Sequence, residues 1–125
     1  AHPCDRPPVV PVAHLEDALV CHGDLFCFDR ADLRGLHERM AKRIPKLRGY
    51  TDAFGHAQVL AGGVDAMVDL DLNPWDAAAT QVLVPEAGGR CITLDYPALG
   101  KLGLVIGAPA LVEQLSGWLT RGRAV

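Results

Sequence analysis

The pattern of this chain predicts a layered α/β fold: a mixed, at least partly parallel sheet with helices on both faces. Two observations carry that expectation. Short apolar runs bounded by Gly or Pro alternate with stretches of helical periodicity about ten residues or longer. The composition, 50% hydrophobic and 22% charged over 125 residues, suits one globular domain with material for a core. Helical crossovers between strands bring those strands together in parallel, with helices left to cover the sheet.

Each element has its own signal. Residues 1–13 carry Pro3, Pro7, Pro8 and Pro11 and read as an extended lead-in, with the domain over residues 14–125. Residues 17–22 are short, apolar and closed by Gly23, as a buried strand would be. Leu33, Leu36, Met40 and Ile44 recur at helical spacing, so residues 29–44 read as one amphipathic helix ended by Pro45. A short strand over 46–50 leads to a helix started by Thr51 or Asp52 and stopped by Gly62 and Gly63. Residues 64–70 read as a strand. Asn73 can cap the next helix, Pro74 suits its first position, and Gly88 and Gly89 end it. Strands over 90–94 and 102–106 and a final helix over 109–119 complete the pattern.

Composition excludes several function classes. Net charge is −3, and the basic residues around positions 34–48 alternate with acidic ones, so no nucleic-acid footprint is expected. Cys4, Cys21, Cys27 and Cys91 show no paired spacing, which points to reduced thiols in a cytoplasmic protein rather than to zinc or a disulfide framework. No secretory signal and no apolar run of membrane-spanning length is present. Ser116 is the single serine and has no Gly-flanked elbow, which argues against a serine hydrolase. Neither a dinucleotide loop nor a P-loop occurs.

Carboxylates are what remains: Asp24, Asp52, Asp65, Asp69, Asp71, Asp76, Glu86 and Asp95. Ligands of open α/β sheets gather at the carboxyl ends of strands, which directs attention to the loops after His22, after Leu47 and around residues 68–71. Asp76 sits in the first turn of its helix, where the dipole favours the ionised form, and a carboxylate held at a buried helix start is a good ligand for a hard divalent cation. The same position also serves simple helix stabilisation. Asp69 is expected to end a strand close to Asp76, as a cleft residue or a solvated strand end. Asp52 is equally a plain N-cap. His22 reads as a partly buried strand-end imidazole, His56 as packed inside a helix, and His14 and His37 as surface residues.

The stretch NPWDAAATQVLVPEAGG, residues 73–89, resembles the second signature of the inositol monophosphatase superfamily, W-D-x-A-A followed by E-A-G-G. The preceding LRGYTDAFGHAQVLAGGVDAMVDLDL is also similar to that family, in its histidinol-phosphate phosphatase-like branch. The similarity runs from about Leu15 to Leu119 and covers only the carboxy-terminal half of the family's fold. It implies Mg-dependent hydrolysis of a small phosphate monoester, such as an inositol phosphate or histidinol phosphate. It implies that Asp76 is a metal ligand and that Asp69, Asp52, Thr51 and Asp24 contact substrate. Thr51 stands where that branch often has Gly, and Pro85 where it has a more helix-compatible residue. A homodimer is implied by resemblance alone.

The family collects its other Mg²⁺ ligands from a Glu-Glu segment and an Asp-Pro-Ile/Leu-Asp-Gly-Ser/Thr segment, and neither occurs here. Asp76 alone cannot hold a Mg²⁺ ion that demands several oxygen ligands in near-octahedral geometry. The resemblance therefore implies half of an enzyme, inactive alone, whose partner is the amino-terminal half and whose surface exposes an apolar patch where that half sits. The alternatives are a non-catalytic binding or oligomerisation module that retains the fold, and a structural remnant.

Overall fold

The computed structural model describes residues 12–24, 26–31, 33–50, 52–96 and 100–123. A 3-10 turn at Leu15–Asp17 leads into β1 (Leu19–His22), α1 (Phe26–Arg30), α2 (Arg34–Arg43), β2 (Lys46–Gly49) and α3 (Asp52–Ala61). There follow β3 (Ala66–Leu72), α4 (Pro74–Glu86), β4 (Arg90–Tyr96), β5 (Lys101–Gly107) and α5 (Pro109–Arg123). The five strands form one sheet in the order β2-β1-β3-β5-β4. β1 pairs in parallel with β2 and with β3, while β5 runs antiparallel to β3 and to β4. The expected mixed, partly parallel sheet is the observed one.

Alternation along β3 sorts the core into two layers. Ala66, Val68 and Leu70 face α1, α2 and α5, joining Phe28, Met40, Leu111, Leu115 and Leu119. Met67 faces the other way, toward Val59, Ala77 and Val84 of α3 and α4. Leu72 breaks the alternation: it joins the second layer although Leu70 belongs to the first. A register shift against β5 between Asp69 and Leu72 accounts for this, because a bulge turns the residues that follow it. The bulge lies where β3 approaches the candidate site.

Two expectations need correction. The single helix over 29–44 is two: α1 ends at Arg30 and α2 begins at Arg34. Leu33 takes φ −130° and ψ 36°, outside helical values, and its amide reaches back to the Phe28 carbonyl at 2.7 Å. The break lets Phe28 and Leu33 both bury, and Asp29 is held across it by Arg34. β3 also runs two residues past the expected end, to Leu72, so Asp69 is inside the strand. The lead-in lies outside the described residues except for its last two. Of these, Val12 packs against the first core layer and the Ala13 carbonyl accepts from Gln114. Cys4 lies outside the described residues; Cys21, Cys27 and Cys91 are free. No described helix is long and apolar enough to cross a membrane.

Candidate active site

A cavity of about 520 Å³ opens at the carboxyl ends of the parallel strands. Asp24 lines it from the loop after β1, Ala53 and His56 from α3, Asp71 and Leu72 from the end of β3, and Asn73, Asp76, Ala79 and Thr80 from the start of α4. This is where a doubly covered sheet collects ligand-binding residues: strand ends and helix starts converge there, and side chains from separate segments share one space.

Asp76 reaches the cavity but is exposed, not held at a buried helix start as the sequence suggested. The reason is that the outer side of α4 is uncovered, and neighbouring Trp75 is 74% exposed. Asn73 makes no side-chain cap on α4. Its amide nitrogen donates to Asp76 Oδ2 at 3.1 Å, and its carbonyl oxygen accepts from Lys101 Nζ at 2.7 Å. A cation on β5 thus orients the amide that orients the carboxylate.

Asp24 and Asp71 lie on the cavity wall with Arg30 bound to both. The guanidinium donates to both Asp24 oxygens, at 3.2 and 3.0 Å, and through Nε to Asp71. Among the described residues, no three acidic, histidine or cysteine side chains converge to hold a metal ion. Arg30 occupies two of the carboxylates that line the cavity, which leaves Asp76 as the one offered without a cation on it. The described residues therefore do not by themselves fit a Mg²⁺ site, which needs several oxygen ligands in near-octahedral geometry.

Asp69, expected as a substrate contact, is a buried residue of β3. It is 5% exposed and sits behind the cavity wall, where its Oδ2 accepts from His56 Nε2 at 2.8 Å. His56 is also 5% exposed and bonds through Nδ1 to Thr80 Oγ1 at 2.7 Å. A Cβ on Gly23 would come within 2.9 Å of Asp69 Oδ1, so glycine in the first loop makes room for the carboxylate. His56 is packed inside α3, as expected, but it is also hydrogen-bonded at both ring nitrogens. Thr51 lies outside the described residues, as does the Asp52 side chain; α3 starts at Asp52.

His22 is buried at the end of β1, and its Nδ1–H donates to the Gly23 carbonyl at 2.6 Å. Burial pushes this imidazole below its ordinary value, against the opposing pull of the Gly23 carbonyl. His37 is half-buried rather than a free surface residue, with its ring edge-on to His22 at 5.0 Å. Burial raises the Cys21 and Cys27 thiols to about 12, so neither is a nucleophile at neutral pH.

Sequence reasoning missed Arg30, Thr80 and Lys101. Thr80 had a readable signal: it is one helical turn beyond Asp76 and shares its face of α4. Lys101 had none, because Asn73 is 28 residues away; Arg30 has Asp24 six residues before it, but its second partner, Asp71, is 41 residues away.

The inositol monophosphatase family model matches residues 18–120. The chain belongs to the inositol monophosphatase family. The match takes in all five strands and the cavity. Among curated relatives, a histidinol-phosphatase of Mycobacterium tuberculosis is 32% identical over 87 residues, covering 70% of this chain and 34% of that protein. An inositol-1-monophosphatase of Caulobacter vibrioides is 31% identical over 86 residues, covering 66% of this chain and 33% of that protein. The solved Thermotoga maritima IMPase superposes with a TM-score of 0.72 at 27% identity, covering 93% of this chain and 45% of that one. This inositol monophosphatase-family chain thus matches about a third of those curated relatives and under half of the solved enzyme. That coverage is consistent with a half of the family's fold.

Proposed function

We propose that this chain is the carboxy-terminal half of a Mg-dependent phosphatase that hydrolyses a small phosphate monoester, such as histidinol phosphate or an inositol phosphate. The observation that carries the reading is the placement of the W-D-A-A-A segment: it sets Asp76 on a cavity at the strand ends, with Asn73 and Lys101 orienting its carboxylate. When bound, Mg²⁺ supplies charge neutralisation at the phosphate and an activated water. This chain contributes one carboxylate to that ion and a wall to the pocket, with Asp24 at the rim; Asp52, which starts α3, and Thr51 before it in the sequence are further substrate contacts in this reading. The remaining ligands belong to an amino-terminal half.

The outer surfaces of α3 and α4 fit the place where that half docks. Phe54 is 59% exposed, Trp75 74% and Val82 63%, with exposed Ala53, Ala57, Ala78 and Ala79 alongside. A helix apolar on nearly all sides, as α4 is, belongs in an interior. Small side chains let another layer approach closely, and an exposed apolar surface of this kind marks an interaction site.

The test is phosphate release from small phosphomonoesters with Mg²⁺, by the chain alone and by the chain mixed with an amino-terminal half from a family member. Activity is expected only in the mixture and is expected to be lost in Asp76→Ala. An Asp76→Ala mixture as active as the parent would sink the half-enzyme reading. A folded chain that pairs with itself or with the added half without releasing phosphate would favour a binding or oligomerisation module.

A further inference from the structure

Asp69 is a buried carboxyl group and His56 links it to the cavity wall, yet nothing in the half-enzyme reading uses that chain. A carboxylate can only accept, so His56 Nε2 carries the proton of the 2.8 Å bond. In a neutral imidazole Nδ1 is then an acceptor, and the 2.7 Å bond to Thr80 takes the hydroxyl's proton. A hydroxyl has one proton and two lone pairs, so Thr80, once committed to His56, has only acceptor capacity left. Thr80 and His56 both line the cavity.

We propose that Thr80 is a specificity residue of this cavity: a hydrogen-bond acceptor for a hydroxyl or ammonium group of the ligand, held in that polarity by His56 and Asp69. Asp69 and His56 are positioning residues in this scheme, and recognition passes through Thr80 rather than through a direct contact with Asp69. The ligand class is an alkyl phosphate with a hydroxyl or ammonium donor away from the phosphate. For the phosphate the inference rests on the half-enzyme reading; the polarity of Thr80 follows from the two ring contacts with His56 neutral and Asp69 a carboxylate. The fixed acceptor explains why three polar side chains from β3, α3 and α4 are spent on one wall. It selects against ligands without a donor, because a buried acceptor left unpaired costs more than a missing attraction.

The test uses the whole chain, with its histidine rings labelled with ¹⁵N, at about pH 8, above the ordinary histidine range. The His56 ring is expected as the Nε2-protonated tautomer, and Asp69→Asn is expected to change its nitrogen signals. A ring protonated on Nδ1 would donate to Thr80 Oγ1, free the hydroxyl proton to be donated to the ligand, and overturn the proposal. O-Phosphoethanolamine and ethyl phosphate are then titrated as probes, one with a distal donor and one without. The first is expected to shift the Thr80 methyl and His56 Nδ1 signals at roughly tenfold lower concentration than the second, the scale of one hydrogen bond. Thr80→Val is expected to erase that preference and Thr80→Ser to keep it. Equal responses to the two probes, or none at the Thr80 methyl, would overturn the recognition role. Probe discrimination by a chain that forms no active phosphatase with any amino-terminal half would sink the half-enzyme reading and leave this one standing.

Discussion

The two faces of the sheet differ in how completely they are closed. On one, α1, α2 and α5 press Phe28, Met40, Leu111, Leu115 and Leu119 onto Val20, Val68 and Val105, all nearly or fully buried. On the other, α3 and α4 cover the sheet with smaller residues, among them Val59, Ala77 and Val84, and turn Phe54, Trp75 and Val82 outward. The first face is the more closely packed core, although Phe26 of α1 stays exposed; the second carries more exposed large apolar side chains. The cavity and its carboxylates are on the second side, where helices thin enough to admit a further layer bring polar side chains within reach of one another. In this chain the cavity and the exposed apolar side chains share the two helices α3 and α4.

The comparison can be broken first where the expected effect is largest. Leu115→Ala empties a buried position of the closed face and should destabilise the chain by about 2–5 kcal/mol in denaturant titration. A loss under about 0.5 kcal/mol would mean that this face is no better packed than the other. Gly55→Ala tests the thin face from within: an added Cβ would lie 2.6 Å from the Met67 sulfur and 2.7 Å from the Tyr50 carbonyl. A cost of about 1–3 kcal/mol is expected, the usual range for overpacking. Thermal stability equal to the parent would show that α3 rides free of the sheet.

A smaller effect comes from pH. His22 has its pKa lowered by burial, so its contribution to stability is present above the ordinary value of 6.5 and is lost as pH falls through its lower folded value. Cys21 and Cys27 have theirs raised, so theirs is present below the ordinary 9.0 and is lost as pH climbs toward about 12. Urea midpoints measured across this range should peak between those limits, and His22→Gln should flatten the acid side. Smallest of all is Val82→Ser on the outer face of α4, expected to move the stability of the isolated chain by about 0.5 kcal/mol or less. The same substitution should weaken pairing with an amino-terminal half, measured by co-purification. A large loss of stability in the chain alone would mean that Val82 is already covered.

Much of this architecture could be read in advance because it is written in local signals. Periodicity located the strands, and Pro74 and Gly88 bounded α4 within a residue or two. Asp24 and Asp76 were legible as site candidates because a strand end and a helix start each announce themselves along the chain. The misreadings have local causes too. Leu33 and Leu36 kept the helical rhythm across a break that the residues at 29–34 do not advertise, and the bulge after Asp69 made β3 longer than its alternation indicated.

By itself the sequence determined the elements, the family and which residue types were available for chemistry, since these depend on spacing and side-chain identity. Tertiary structure alone decided their pairings. On paper Asp69 was the cleft candidate and Asp71 only one more carboxylate, yet Asp69 is buried against His56 while Asp71 lines the cavity and meets Arg30. Nor could spacing show that Asn73 would serve Asp76 and Lys101 instead of capping its helix. The physical reason is common to both. A carboxylate or an amide takes whichever partner folding brings within about 3 Å, and the order of residues along the chain does not encode that distance.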